Sequence, residues 1–187
     1  MHRLSLLNDC SIAALVLTLV VKMPNSSTRA LTGLRIAVGV LFLIFAEYKV
    51  VGTHFTLGGG FKYWISRFLQ DGAYPFIVPI LKNFVLPHAT PIAFLVAYGE
   101  LAIGIALVLG ILVRPASISG VIYMFTLLFS ANYPGPHAVF WQYFGASLDH
   151  LVLALCLASF ASMKPQETLS IRTYLRFHPW GVKRART

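Results

Sequence analysis

The segment from Pro91 to Val113 reads PIAFLVAYGELAIGIALVLGILV and contains a single charged residue, Glu100. As an α-helix, this segment would be about 34 Å long, enough to cross the roughly 30 Å hydrocarbon layer of a bilayer. A single strand would leave its backbone hydrogen-bonding groups unpaired in lipid, so the segment must be helical. It therefore predicts a membrane-spanning helix with a carboxyl group near the bilayer midplane.

Three other segments have the length and apolar composition of membrane-spanning helices. They run from Ala30 to Val51, from Ala116 to about Tyr133, and from Ala138 to about Met163. Turn-forming residues separate the spans, with Arg114-Pro115 between the second and third and NYPGP at 132–136 between the third and fourth. The predicted fold is an all-α, integral membrane four-helix bundle over residues 30–163.

The composition of the whole chain agrees with a membrane protein. Of the 187 residues, 57% are apolar and 11% are charged, whereas soluble domains contain about 45–50% apolar and about 25% charged residues. These values exclude a disordered chain, a coiled coil and an ordinary soluble domain. Cys10 and Cys156 are far apart, and the sequence has no metal-ligand spacing, Walker loop or dinucleotide-binding fingerprint. We therefore expect no metal site.

The net charge of +9 comes from basic residues that lie mostly between the spans and in the tail, residues 164–187. This distribution is typical of charges that set membrane orientation and contact lipid headgroups, so we expect no nucleic-acid partner. It predicts a multi-pass membrane protein with a cytoplasmic C-terminus. The N-terminal segment, residues 1–29, has three open interpretations: a signal-like sequence, an interfacial helix or an extra membrane helix.

The long connection between the first two spans contains an amphipathic pattern. Polar residues fill one face of this helix pattern. The apolar residues of the other face recur at helical spacing and are Phe61, Trp64, Ile65, Phe68 and Leu69. The pattern predicts an external helix lying at the membrane surface. The apolar stretch from Pro75 to Pro87 is too short to span. This connection is expected to be a lid on the bundle or, alternatively, a gate for an apolar ligand.

Acidic residues are rare in this chain, and three of the six fall inside predicted spans: Glu47, Glu100 and Asp149. A charge deep in the bilayer costs about 2.5–3.5 kcal/mol, so Glu100 should be protonated or paired inside the bundle. Asp149 and the adjacent His150 have a similar predicted depth and could meet Glu100. Two functional interpretations follow, a proton relay beside a quinone and a site for another small apolar ligand. The structural alternative is a polar clamp between helices.

Two stretches of the sequence resemble the DoxX family. The first is Leu34 to Leu43 followed by Lys49, and the second is GELAIGIALVLGILVR, from Gly99 to Arg114. The resemblance covers roughly residues 31–163 and implies a four-helix membrane bundle. Ala46 and Glu47 stand where glycines commonly precede the lysine in the family. The connection between the first two spans is longer than a minimal member needs.

The resemblance also implies a function, because the family includes DoxD-like small subunits of thiosulfate:quinone oxidoreductase. On this basis we expect a quinone-linked redox subunit of the bacterial cytoplasmic (inner) membrane, with quinone as the cofactor. The candidate catalytic residues are Glu100, Asp149 and His150, and the candidate cofactor-binding residues are Glu47, Lys49 and Arg114. The alternative is a non-catalytic accessory subunit that packs against and stabilises a larger membrane complex. The expected partners are the lipid bilayer and either such a complex or a second copy of the chain.

Overall fold

The computed structural model describes residues 26–131, 133–144 and 148–163. The predictions for the N-terminal segment up to residue 25 and for the basic tail from residue 164 lie outside these residues. The described part consists of helices and turns. The helices are α1 Ser26–Val51, α2 Thr53–Thr56, α3 Gly60–Asp71, α4 Val78–Ile80, α5 Ala89–Leu109, α6 Val113–Ser130 and α7 Asp149–Ser162. A π-helical turn, Leu81–Val85, follows α4, and a 3-10 helix, Phe140–Phe144, precedes α7.

Three helices of the described part are long and apolar enough to cross a membrane, and they confirm the first three predicted spans. They are Arg29–Val51 of α1, Ala89–Leu109 and Val113–Ser130. The turn between α5 and α6 lies earlier than predicted. Gly110 and Leu112 adopt left-handed backbone angles with φ of 69° and 49°, so the chain reverses at residues 110–112. Arg114 and Pro115 lie in the first turn of α6, where a proline without an N–H is tolerated.

The predicted fourth span, Ala138 to Met163, is wrong in its first half. The chain forms the 3-10 helix at Phe140–Phe144, and α7 begins only at Asp149, after Leu148 with a left-handed φ of 55°. The 14 residues of α7 correspond to about 21 Å, which is shorter than the hydrocarbon layer. Asp149 therefore lies at the N-terminus of a helix instead of in the middle of a span.

The long connection forms a lid over one end of the bundle. The amphipathic pattern correctly predicted helix α3, which buries Phe61 and Ile65 and exposes Arg67. Trp64, expected on the apolar face, is 45% exposed. Whether α3 lies at a membrane surface stays a prediction. Two backbone hydrogen bonds attach the lid to the end of α6, from Tyr74 N to the Phe129 carbonyl (3.0 Å) and from Tyr133 N to the Gly72 carbonyl (2.7 Å).

Helices α1 and α5 pack closely because glycines replace side chains at their crossing. A Cβ added to Gly39 would lie 3.0 Å from the backbone nitrogen of Val108, and one added to Gly104 would lie 3.0 Å from that of Leu43. Small residues at these two positions allow the helices to come close. Gly33 and Gly99 are different, because an added Cβ would have nothing within 4 Å there. The contact fixes the distance between the helices that carry the candidate site.

Candidate functional site

Three consecutive spanning helices each contribute one polar side chain to a single cluster. Lys49 comes from α1, Glu100 from α5 and Tyr123 from α6. Lys49 is close to the lid end of its helix, whereas Glu100 is near the middle of α5. They meet because the antiparallel register that sets Gly104 against Leu43 also brings residue 49 nearly level with residue 100.

The three side chains are joined through one carboxylate oxygen. Glu100 Oε1 forms an ion pair with Lys49 Nζ and accepts a hydrogen bond from the Tyr123 hydroxyl. Lys49 Nζ is also 3.4 Å from the Tyr123 oxygen and 5.5 Å from the centre of the Phe55 ring in the lid helix α2. Glu100 is 5% exposed and the Lys49 side chain 17%. The cluster is therefore a buried ion pair whose cation lies nearer to the outside.

The second oxygen of Glu100 has a different environment. Oε2 is buried and has no hydrogen-bond partner within the described part of the chain. A buried acceptor without a donor costs about 1–3 kcal/mol, and more when it is charged. Such atoms are uncommon in native structures. Thr32 Oγ1 and Ser117 Oγ are also buried without a partner among the described residues, so this property alone assigns no function to Glu100.

The other predicted site residues lie away from this cluster. Glu47 is exposed on α1, and Arg114 is exposed at the start of α6. Asp149 Oδ1 is 2.9 Å from His150 Nδ1 and accepts a hydrogen bond from the His150 backbone. This local pair at the helix N-terminus, where a carboxylate is favoured, does not join the Glu100 cluster in the described structure. The expected meeting of Asp149–His150 with Glu100 is therefore not formed.

A family model described as DoxX matches residues 30–132, which is more than half of the chain. The chain belongs to the DoxX family. The DoxX match contains all three cluster residues, Lys49, Glu100 and Tyr123, and ends before Asp149 and His150. No curated protein and no solved structure matches the chain.

Sequence reasoning missed two polar features of this DoxX protein. Tyr123 was one of several tyrosines in the spans, and its pairing with Glu100 depends on the rotation of α6, which a single sequence does not show. Arg35, just inside the first predicted span, was given no role from the sequence, yet it is only 1% exposed, and Thr32, one turn earlier on α1, is fully buried. Arg35 lies 14 positions before Lys49 on α1, so this second buried polar region is near the opposite end of the helix.

A cleft of about 340 Å³ lies outside the bundle, between α3 and the end of α6. It is lined by Tyr63, Trp64, Arg67, Phe68, Asp71 and Ala131. Arg67 Nε donates a hydrogen bond of 2.9 Å to Asp71, and this bond raises the pKa of Arg67. Both side chains are about half exposed. Because the two charges offset each other in an open cleft, this cleft is not a candidate functional site.

Proposed function

We propose that this DoxX protein is a membrane-embedded, quinone-linked redox subunit. It binds a quinone headgroup beside Glu100 and conducts the protons of the quinol. The observation that supports this proposal is the buried Lys49–Glu100–Tyr123 cluster with one unpartnered carboxylate oxygen. A lipid-soluble quinone has a ring with polar atoms at both ends and reaches such a site from within the bilayer. The location of the cluster, among spanning helices, suits that substrate.

Each residue of the cluster has a separate role in this proposal. Oxidation of a bound quinol would release two electrons, which pass to a redox-active partner protein, and two protons. Glu100 Oε2 would accept these protons one at a time from the ring hydroxyls. Protonation would neutralise the carboxylate and weaken its attraction for Lys49, whose ammonium group would release a proton toward the lid. Transfer of the proton from Glu100 to the neutral Lys49 amine would restore the ion pair for the second proton. Tyr123 holds Oε1 in place, so that Oε2 faces the ligand.

The second candidate is an accessory subunit that packs against a larger membrane complex or another copy of the chain. Exposed aromatic side chains between α6 and α7 favour it, since Phe140 is 79% exposed and Trp141 is 56% exposed. Large apolar groups exposed together are typical of interaction surfaces with lipid or protein. In this function, the Lys49–Glu100 pair would only stabilise the bundle.

Native mass spectrometry of the protein extracted from its own membrane in mild detergent separates the two functions. We expect the wild-type chain to carry a quinone-sized mass. The double variant Lys49→Met/Glu100→Met replaces the ion pair by apolar side chains, a change that proteins often tolerate. It should remain folded and lose at least 90% of the bound quinone. A stoichiometric partner protein, with no quinone bound to the wild-type chain or to the double variant, would support the accessory function. Equal amounts of bound quinone in the wild-type protein and in the double variant would contradict binding at Glu100.

A further inference from the structure

We infer that the site beside Glu100 recognises the reduced, hydroxyl-bearing form of its ligand and discriminates against the oxidised form. This inference rests on the proposed function and adds which redox form of the substrate is bound. It starts from the unequal environments of the two oxygens of Glu100. Oε1 has two donors, Lys49 and Tyr123, whereas the buried Oε2 has none among residues 26–131, 133–144 and 148–163.

The group that Oε2 can bind is a hydrogen-bond donor. A carboxylate in an ion pair only accepts hydrogen bonds, so Oε2 can be satisfied only by an O–H or N–H group. A quinone ring presents two carbonyl oxygens, which are acceptors and would face Oε2 with like partial charge. The corresponding hydroquinone presents two hydroxyl groups, each able to donate to Oε2. The hydroquinone therefore removes a desolvation cost that the quinone leaves in place.

Most donors of the cluster are used by the protein. The Tyr123 hydroxyl donates to Glu100, and the Lys49 ammonium group contacts Glu100 and the Tyr123 oxygen and lies over the Phe55 ring. A carbonyl ligand could accept a hydrogen bond only from the remaining N–H of Lys49 and would still leave Oε2 without a donor.

The preference for the reduced form has a measurable size. Satisfying a buried charged acceptor is worth enough to make the hydroquinone bind about tenfold or more tightly than the quinone. Because the two forms are linked by a two-electron couple, a tenfold preference raises the midpoint potential of the bound pair by about 30 mV relative to the free pair. A merely structural ion pair would not shift this potential.

Equilibrium binding to the purified protein in lipid nanodiscs tests the inference with three probes. The probes are a short-chain benzoquinone, its hydroquinone kept reduced under anaerobic conditions, and the dimethyl ether of that hydroquinone, which cannot donate a hydrogen bond. We expect the hydroquinone to bind at least tenfold more tightly than both other probes. Equal binding of quinone and hydroquinone, or tighter binding of the quinone, would overturn the inference and leave the proposed function standing. Failure of all three probes to bind would overturn the proposed function itself.

The variant Glu100→Gln provides a second, independent result. Lys49 and Tyr123 should hold its amide oxygen in the place of Oε1, so the amide nitrogen, a donor, replaces Oε2. We therefore expect the preference to reverse, with the quinone bound more tightly than the hydroquinone. The matched control Glu47→Gln makes the same chemical change at an exposed position of α1 and should keep the wild-type preference. An unchanged preference in a folded Glu100→Gln protein would contradict the inference. If that variant does not fold, the binding of the three probes to the wild-type protein decides the inference.

Discussion

The substitution Lys49→Met is expected to destabilise this protein by about 3–5 kcal/mol, because it leaves the Glu100 carboxylate charged, buried and without its cation. Glu100 is 5% exposed, and the Tyr123 hydroxyl would be the one remaining donor to Oε1 among the described residues. The free energy of unfolding in mixed detergent micelles measures the loss. The matched control Lys62→Met removes a lysine from the exposed face of α3 and should change the unfolding free energy by less than about 0.5 kcal/mol.

A second substitution distinguishes loss of the ion pair from loss of lysine packing. Adding Glu100→Met to Lys49→Met removes the unpaired charge and should restore most of the lost stability, because an apolar pair of similar volume often replaces a buried ion pair without cost. The coupling energy between the two positions would then be at least about 2 kcal/mol. Strictly additive effects would show that the two side chains do not form a pair in the folded protein.

The substitution Gly104→Leu is expected to have the second-largest effect, a destabilisation of about 3 kcal/mol from overpacking. The new Cβ would lie 3.0 Å from the backbone nitrogen of Leu43, and backbone moves only if α1 and α5 separate. Gly104 is one turn after Glu100 on the same face of α5, so the separation should also weaken the Lys49–Glu100 pair. Unfolding free energies, with and without the Lys49→Met change, measure both consequences.

The same helix offers a control for this steric argument. Gly99→Leu adds the same side chain to α5 at a position where an added Cβ has nothing within 4 Å. It should be neutral or slightly stabilising, because leucine has a higher helix propensity than glycine by somewhat less than 1 kcal/mol. Equal destabilisation by the two leucines would contradict the close contact between α1 and α5.

The fold was predictable from the sequence where long apolar runs decide it. The 23-residue run from Pro91 to Val113 and the run ending at Val51 each predicted a spanning helix that the structure contains. The amphipathic spacing from Phe61 also predicted α3. Composition alone could not place the start of α7 at Asp149, because it follows a left-handed backbone at Leu148, a conformation that leucine rarely adopts.

The candidate site was predictable only in part, for a physical reason. The rarity of acidic residues in the spans identified Glu100, because a charge at that depth requires a partner. Its partners could not be chosen, since depth counted along the helices placed Asp149 nearer to Glu100 than Lys49. The register of α1 against α5, with Gly104 against Leu43, brings Lys49 level with Glu100 and reverses that choice. The rotation that turns Tyr123 toward the carboxylate is set by packing against neighbouring helices, which the sequence of α6 alone does not specify.

Infrared difference spectroscopy on adding the hydroquinone tests most directly whether the ligand contacts Glu100. The account predicts a change in a carboxylate stretching band of the wild-type protein, because a new hydrogen bond forms at Oε2. The band should be absent from the difference spectrum of Glu100→Gln and retained in that of Glu47→Gln. A wild-type spectrum without any carboxylate change, or a change that persists in Glu100→Gln, would contradict the account.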